Sequence, residues 1–151
     1  MNTIDFDALW ERATTDFALG EVSLHGPDHW RRVEKNGLAL AERNGANIEI
    51  VNLFAVLHDS QRRNESHDPH HGARASDYAA HLHGEYFVLP AEQLELLRYA
   101  LTYRDKGMLS GDVTIGTCWD ADRLDLGRVG IAPSAAYLST VVAKQWLHGR
   151  R

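Results

Sequence analysis

The chain of 151 residues is long enough for one domain with a substantial core, and its hydrophobic and charged fractions, 44% and 25%, are ordinary for a globular protein. A net charge of −5, with no basic run longer than a pair, excludes nucleic-acid binding through a clustered cationic surface but leaves small anions open. The single cysteine, Cys118, excludes an internal disulfide framework; no stretch approaches the ~20 apolar residues of a membrane span, and the acidic start (residues 1–7) has no basic segment followed by an apolar one. A cytoplasmic protein with no membrane or nucleic-acid partner is the expectation.

Phe6, Leu9, Trp10, Ala13 and Phe17 form an i, i+3, i+4, i+7 stripe, which predicts a helix over 5–19, stopped by Gly20. Gly26-Pro27 opens a second helix, since proline in the first turn forfeits no hydrogen bond, and Asn44-Gly45 ends it. The apolar run from Ile48 predicts a third, to about His58. Residues 60–69 are polar and read as a loop, with Asp68-Pro69 as cap and first turn of a fourth helix over 69–82. Pro90 opens a fifth, to Tyr103. Residues 105–117 read as a loop, followed by a short helix over 117–126, and Pro133 introduces a last helix over about 133–148. No alternation signals a strand. The expectation is an all-α, single-domain bundle of six or seven helices. Trp10, Trp30, Trp119 and Trp146 sit on its apolar stripes and read as packing. The apolar face of the last helix (Ala135, Leu138, Val141, Val142, Trp146) either closes the bundle or pairs two copies as a homodimer.

Nine histidines are the compositional oddity. His58-Asp59 closes the hydrophobic third helix, where both side chains would be held rigidly beside the core. A neutral imidazole and a carboxylate are both good ligands for a divalent metal. His29 lies in the first turn of its helix, where a side chain can point inward past the helix end, and is preferred to His25, which precedes the helix. Arg62 shares a face with His58 and Asp59 if the helix continues, and a guanidinium beside a metal suits a phosphate. In Asp120-Ala121-Asp122 the carboxylates point ~200° apart, so one alone can face a metal; the other is free to cap a helix. Two histidines and two carboxylates make a mixed set suited to Mn, Fe, Co, Ni or Zn.

The order His29, His58-Asp59, Asp122 resembles the signature of the HD-domain metal-dependent phosphohydrolases, H…HD…D on an all-α bundle. His29-Trp30-Arg31-Arg32-Val33 is similar to that family's H-x-x-R-V, and Ala121-Asp122-Arg123-Leu124 to its A-D-R-L, whose aspartate is a metal ligand. The resemblance covers about residues 22–128, and it selects Asp122 over Asp120. It implies a divalent metal held by His29, His58, Asp59 and Asp122. It further implies hydrolysis of a nucleotide or another small phosphate ester; the mechanism expected from the residues themselves has Asp59 and Arg62 catalytic and Arg62, Arg123 and Lys106 facing phosphate. Arg62 stands where nucleotidases of the family carry a glutamate, and the nearest glutamate is Glu65. His70, His71 and Glu65 fall where further ligands for a second ion, or substrate contacts, would lie. Two rivals keep the fold: a di-iron oxygenase that uses the additional histidines, and a non-catalytic nucleotide-binding sensor.

Overall fold

The computed structural model describes residues 4–149; the first three residues of the acidic start lie outside it. Among the described residues the protein is all-α, with seven α-helices and no strand beyond one isolated bridge between His83 and Phe87. None of these helices is long and apolar enough to cross a membrane.

Helix α1 (Phe6–Asp16) starts where the Asp5 carboxylate accepts from the Ala8 amide, and buries Leu9, Trp10 and Ala13. It stops short of the predicted Leu19. Phe17 is extended and sets its ring edge-on against Trp30 at 5.2 Å, a contact that a continued helix would forfeit. Helix α2 (Pro27–Asn44) has proline in its first turn. It ends at Gly45, whose φ of +78° suits glycine and whose N–H closes onto the Ala41 carbonyl.

Helix α3 (Ile48–Leu57), capped by Asn47, is apolar on nearly every side and is packed by α1, α2, α4, α5 and α6. Leu53, Phe54, Ala55, Val56 and Leu57 have no solvent exposure at all. Burial of each large side chain here contributes roughly 1.5–3 kcal/mol, which makes α3 the axis of the bundle. At Gly37 of α2 a Cβ would lie 2.5 Å from Val51 Cγ1, so the two helices approach as closely as they do only because that position carries no side chain.

Helix α4 (His71–Leu82) begins two residues later than its Asp68-Pro69 signal predicts. Asp68 is drawn away from a capping role, accepting instead from Arg74 at 2.6 and 2.7 Å and from the Arg63 amide at 2.7 Å. Helix α5 (Ala91–Tyr103) lies along α4. Helix α6 (Val113–Arg123) starts four residues before the expected Thr117, because Asp112 caps the amides of Thr114 and Ile115.

The last helix also departs from expectation. In place of one helix over 133–148 there is a 3₁₀ turn (Ala135–Tyr137), an extended pair, and α7 (Val141–Gly149). The cause is Asp120, fully buried on α6. Its carboxylate accepts from the Ser139 amide, the Thr140 amide and the Thr140 hydroxyl at 2.7–2.8 Å. These bonds hold 138–140 out of a helix and make α7 begin after them. Asp120 therefore does not cap its own helix; it holds Thr140, whose hydroxyl caps α7 by accepting from the Ala143 amide at 3.2 Å. Leu138 and Ala143, with Val142 and Trp146, pack on Leu40 and Leu124, so much of the apolar face of the last helix closes the bundle; Val141 remains exposed.

Candidate metal centre

Three helix termini meet at one end of the bundle. His29 comes from the first turn of α2, Asp122 from the last turn of α6, and His58 and Asp59 from the point where α3 gives way to turns. One ligand atom from each lies within 4.8 Å of all the others, and all four residues are buried. His29 Nε2 is 2.9 Å from His58 Nε2, 3.1 Å from Asp122 Oδ1 and 3.2 Å from Asp59 Oδ2. His58 Nε2 lies 3.3 Å from each of the same two oxygens.

The other ring nitrogens settle which atoms face inward. His58 Nδ1 donates to the carbonyls of Ala55 (2.9 Å) and Phe54 (3.2 Å), which leaves Nε2 as a lone pair. His29 Nδ1 donates to Asp125 Oδ2 at 2.7 Å, and Asp125 is itself held by Arg32 at 2.9 and 3.0 Å. This carboxylate–histidine pairing is the arrangement that orients metal-ligating imidazoles. Two Nε2 atoms at hydrogen-bond distance, beside an Asp59 Oδ2 that is buried without a hydrogen-bond partner, need a cation between them. A divalent ion fits this donor set, and in its absence a proton does the same work. Burial alone would depress His29, but its hydrogen bonds to Asp122 and Asp125 and the Asp59 carboxylate 3.2 Å away outweigh it and push its pKa up to about 9.

Arg104 completes the cluster from behind. It follows α5, is buried, and donates to Asp59 Oδ1 and Asp122 Oδ2 at 2.8 Å each, so it grips the outer oxygen of both carboxylates while their inner oxygens face the histidines. Burial would raise both carboxyls; Arg104 first, then the histidines, hold them well below the usual carboxylate range. Arg104 also contacts His71 Nε2, whose Nδ1 donates to the Asp68 carbonyl at 2.6 Å. His71 is buried, lies 3.5 Å from Asp59 Oδ1, and is kept neutral by desolvation and by Arg104.

Of the other expected residues, Arg62 is brought to the cluster, Nε lying 3.6 Å from Asp59 Oδ1, although the chain after Leu57 runs in turns and not in a continued helix. Arg123 is turned away: it donates to the carbonyls of Tyr137 and Arg104 and lies over the Trp119 ring. Lys106 is exposed and lines a smaller cleft of about 260 Å³ beside Arg62 and His71. His70 is exposed at the start of α4, and the exposed Glu65 takes the Ser23 hydroxyl on its carboxylate, so neither points its side chain into the cluster.

The sequence reading missed Arg104, Asp125 and Arg128. Arg128 Nη2 is 3.7 Å from Asp122 Oδ1, so three guanidiniums share two carboxylates. Asp125 carried a signal, one turn after Asp122 on the same face. Arg104, alone after a helix end, carried none. A main cleft of about 410 Å³ runs from Asp122, Arg62, Arg104 and Arg128 outward, within the usual range for small-molecule sites.

The protein has the fold of a crystallographically solved, predicted HD superfamily hydrolase from an uncultured Thermotogales bacterium. The two share 21% identity and a TM-score of 0.75, over 95% of this chain and 83% of that one. No family model and no curated protein matches the sequence.

Proposed function

We propose that the protein is a divalent-metal-dependent phosphohydrolase acting on a nucleotide or another small phosphate ester. The observation that carries this reading is the buried convergence of His29, His58, Asp59 and Asp122 at the end of a cleft rich in arginine. The fold shared with a predicted HD superfamily hydrolase supports it. The ligand set would hold one Mn, Fe, Co, Ni or Zn ion, which supplies Lewis acidity toward a phosphoryl oxygen and lowers the pKa of water. Around it, Arg104 fixes the orientation of both carboxylates, and Asp125 fixes that of His29. Arg62 and Arg128 stand beside the ligand oxygens, where their charge offsets that developing on a transferring phosphoryl group. Asp59, at the junction of these groups, is the residue to orient attacking water. The proposal rests on one ion, because Arg104 already contacts the His71 nitrogen that a second would need.

Purified protein supplied with Mn, Co or Ni should release inorganic phosphate from members of a panel of phosphate esters. His58→Ala and Asp59→Ala should each abolish release while the helical circular dichroism persists. Full activity in either variant, or two irons per chain with oxygen consumption and no phosphate release, would overturn the proposal.

A further inference from the structure

The main cleft has two unlike ends. At the inner end are Arg62, Arg104 and Arg128, whose Nε atoms are buried and have no hydrogen-bond partner, together with His25, whose Nδ1 is equally unpartnered. His25 donates through Nε2 to the Glu65 carbonyl at 2.9 Å, which leaves its Nδ1 as an acceptor; the unmatched donors are the three arginine Nε–H groups. Unmatched buried donors of this kind are costly unless something with acceptor oxygens relieves them. The apolar lining comes from one segment, residues 126–137, which contributes Leu126, Val129, Ile131, Ala132 and Tyr137; Gly107 and Asp105 also line the cleft, Asp105 on the His71 side with its carboxylate 3.8 Å from His71 Nδ1. Val129, Ile131 and Tyr137 are 38%, 53% and 56% exposed, a concentration of apolar surface that the bundle does not use for its own core. The outer end has few polar side chains to offer. Ser134 caps Ala136, and Arg123 has given its donors to backbone carbonyls.

The same segment carries Arg128, so one stretch of chain presents a cation toward the ligand cluster and an apolar wall beyond it. We infer that residues 126–137 form the subsite for the organic part of the ester, and that this part is apolar: the substrates are phosphomonoesters of hydrophobic alcohols and not phosphates of sugars or other polyols. A polyol would lose its water against this wall and find almost no partner for its hydroxyls. A hydrocarbon group would gain by covering the exposed faces of Val129, Ile131 and Tyr137. The inference rests on the phosphohydrolase reading for its reaction, but not for its binding step.

The test compares esters of primary alcohols, so that the leaving group is held nearly constant. With the Mn-loaded protein, 2-phenylethyl phosphate should be hydrolysed with kcat/KM at least ~10-fold above that of glucose 6-phosphate or ethyl phosphate, the scale on which an apolar pocket discriminates. Ile131→Ser and Val129→Ser, both uncharged changes at exposed positions, should bring the ratio of kcat/KM for 2-phenylethyl phosphate to that for ethyl phosphate most of the way to one. Equal or better turnover of glucose 6-phosphate, or a preference untouched by both variants, overturns the inference. If no ester is hydrolysed, the phosphohydrolase reading fails by itself. The subsite is then decided by calorimetry with non-hydrolysable phosphonates: tighter binding of 2-phenylethylphosphonate than of ethylphosphonate sustains it, and equal affinity overturns it.

Discussion

Metal binding should compete with a single proton on His29. With that imidazole held up to about 9 by three carboxylates, at pH 7 it is protonated two units below its midpoint. Displacing the proton then costs about 3 kcal/mol, or roughly a hundredfold in apparent affinity, at ~1.4 kcal/mol per unit. Affinity for Mn or Zn should therefore rise about tenfold per pH unit from 6 to 8 and level off near 9. Calorimetric titration in buffers of different ionisation heat should count about one proton released per ion at pH 7 and about half of one at pH 9. The metal-free protein should show the opposite trend. The raised pKa of His29 contributes stability that is fully present below about 6.5 and is lost as pH rises through about 9, a change on the order of 3 kcal/mol. Metal affinity that is flat from pH 6 to 9, with no proton release, would refute the assignment of the proton and of its three partners.

Further predictions concern the frame around the site. Arg104→Met strands the outer oxygens of two buried carboxylates; loss of one partner of such a cluster costs about 3–5 kcal/mol, so the thermal midpoint of the metal-free protein should fall by roughly 6–20 °C. Gly72→Ala drives a Cβ to 2.6 Å from the Leu101 carbonyl and should cost about 1–3 kcal/mol in urea unfolding, whereas Gly111→Ala, with open space around it, should be neutral within ~0.5 kcal/mol. Asp120→Ala removes the acceptor for two backbone amides and should lower stability by about 2–4 kcal/mol. It should also speed hydrogen exchange at Ser139 and Thr140 while the amides of α3 keep their protection.

Most of the helices were legible because their boundaries are set locally. Pro27, Asn44-Gly45 and Pro90 act through backbone conformation alone, and they hold in the structure. The misplaced boundaries are those decided across the fold. Gly111 and Gly116 made the start of α6 look like a loop, yet Gly116 is a packing position where a Cβ would stand 3.0 Å from Ser139, and Asp112 was a cap in plain view. The delayed start of α7 depends on a carboxylate 20 residues earlier in the chain. The site follows the same division. His29, His58, Asp59 and Asp122 were readable from type and order. Arg104 and Arg128 were not assigned, because an arginine that ends up beside buried carboxylates has the same local sequence as one on a surface, whereas Asp125 was readable from its place one turn after Asp122 and was passed over. Conversely, Arg123 and Lys106 were nominated for charge alone, and one is tied to two backbone carbonyls while the other lies exposed on a neighbouring cleft.

The segment between α6 and α7 is pinned at both ends by carboxylates that belong to the frame: Asp125, bound to His29 and Arg32, just before it, and Asp120, bound to Ser139 and Thr140, just after. Between those pins it makes only short 3₁₀ turns, and several of its side chains are exposed. Such a stretch is an exchangeable cassette. Its outward residues can be rewritten by mutation without disturbing the atoms that gather around His58 and Asp59. On the proposed function, such changes would alter what the cleft accepts and leave the metal centre as it is.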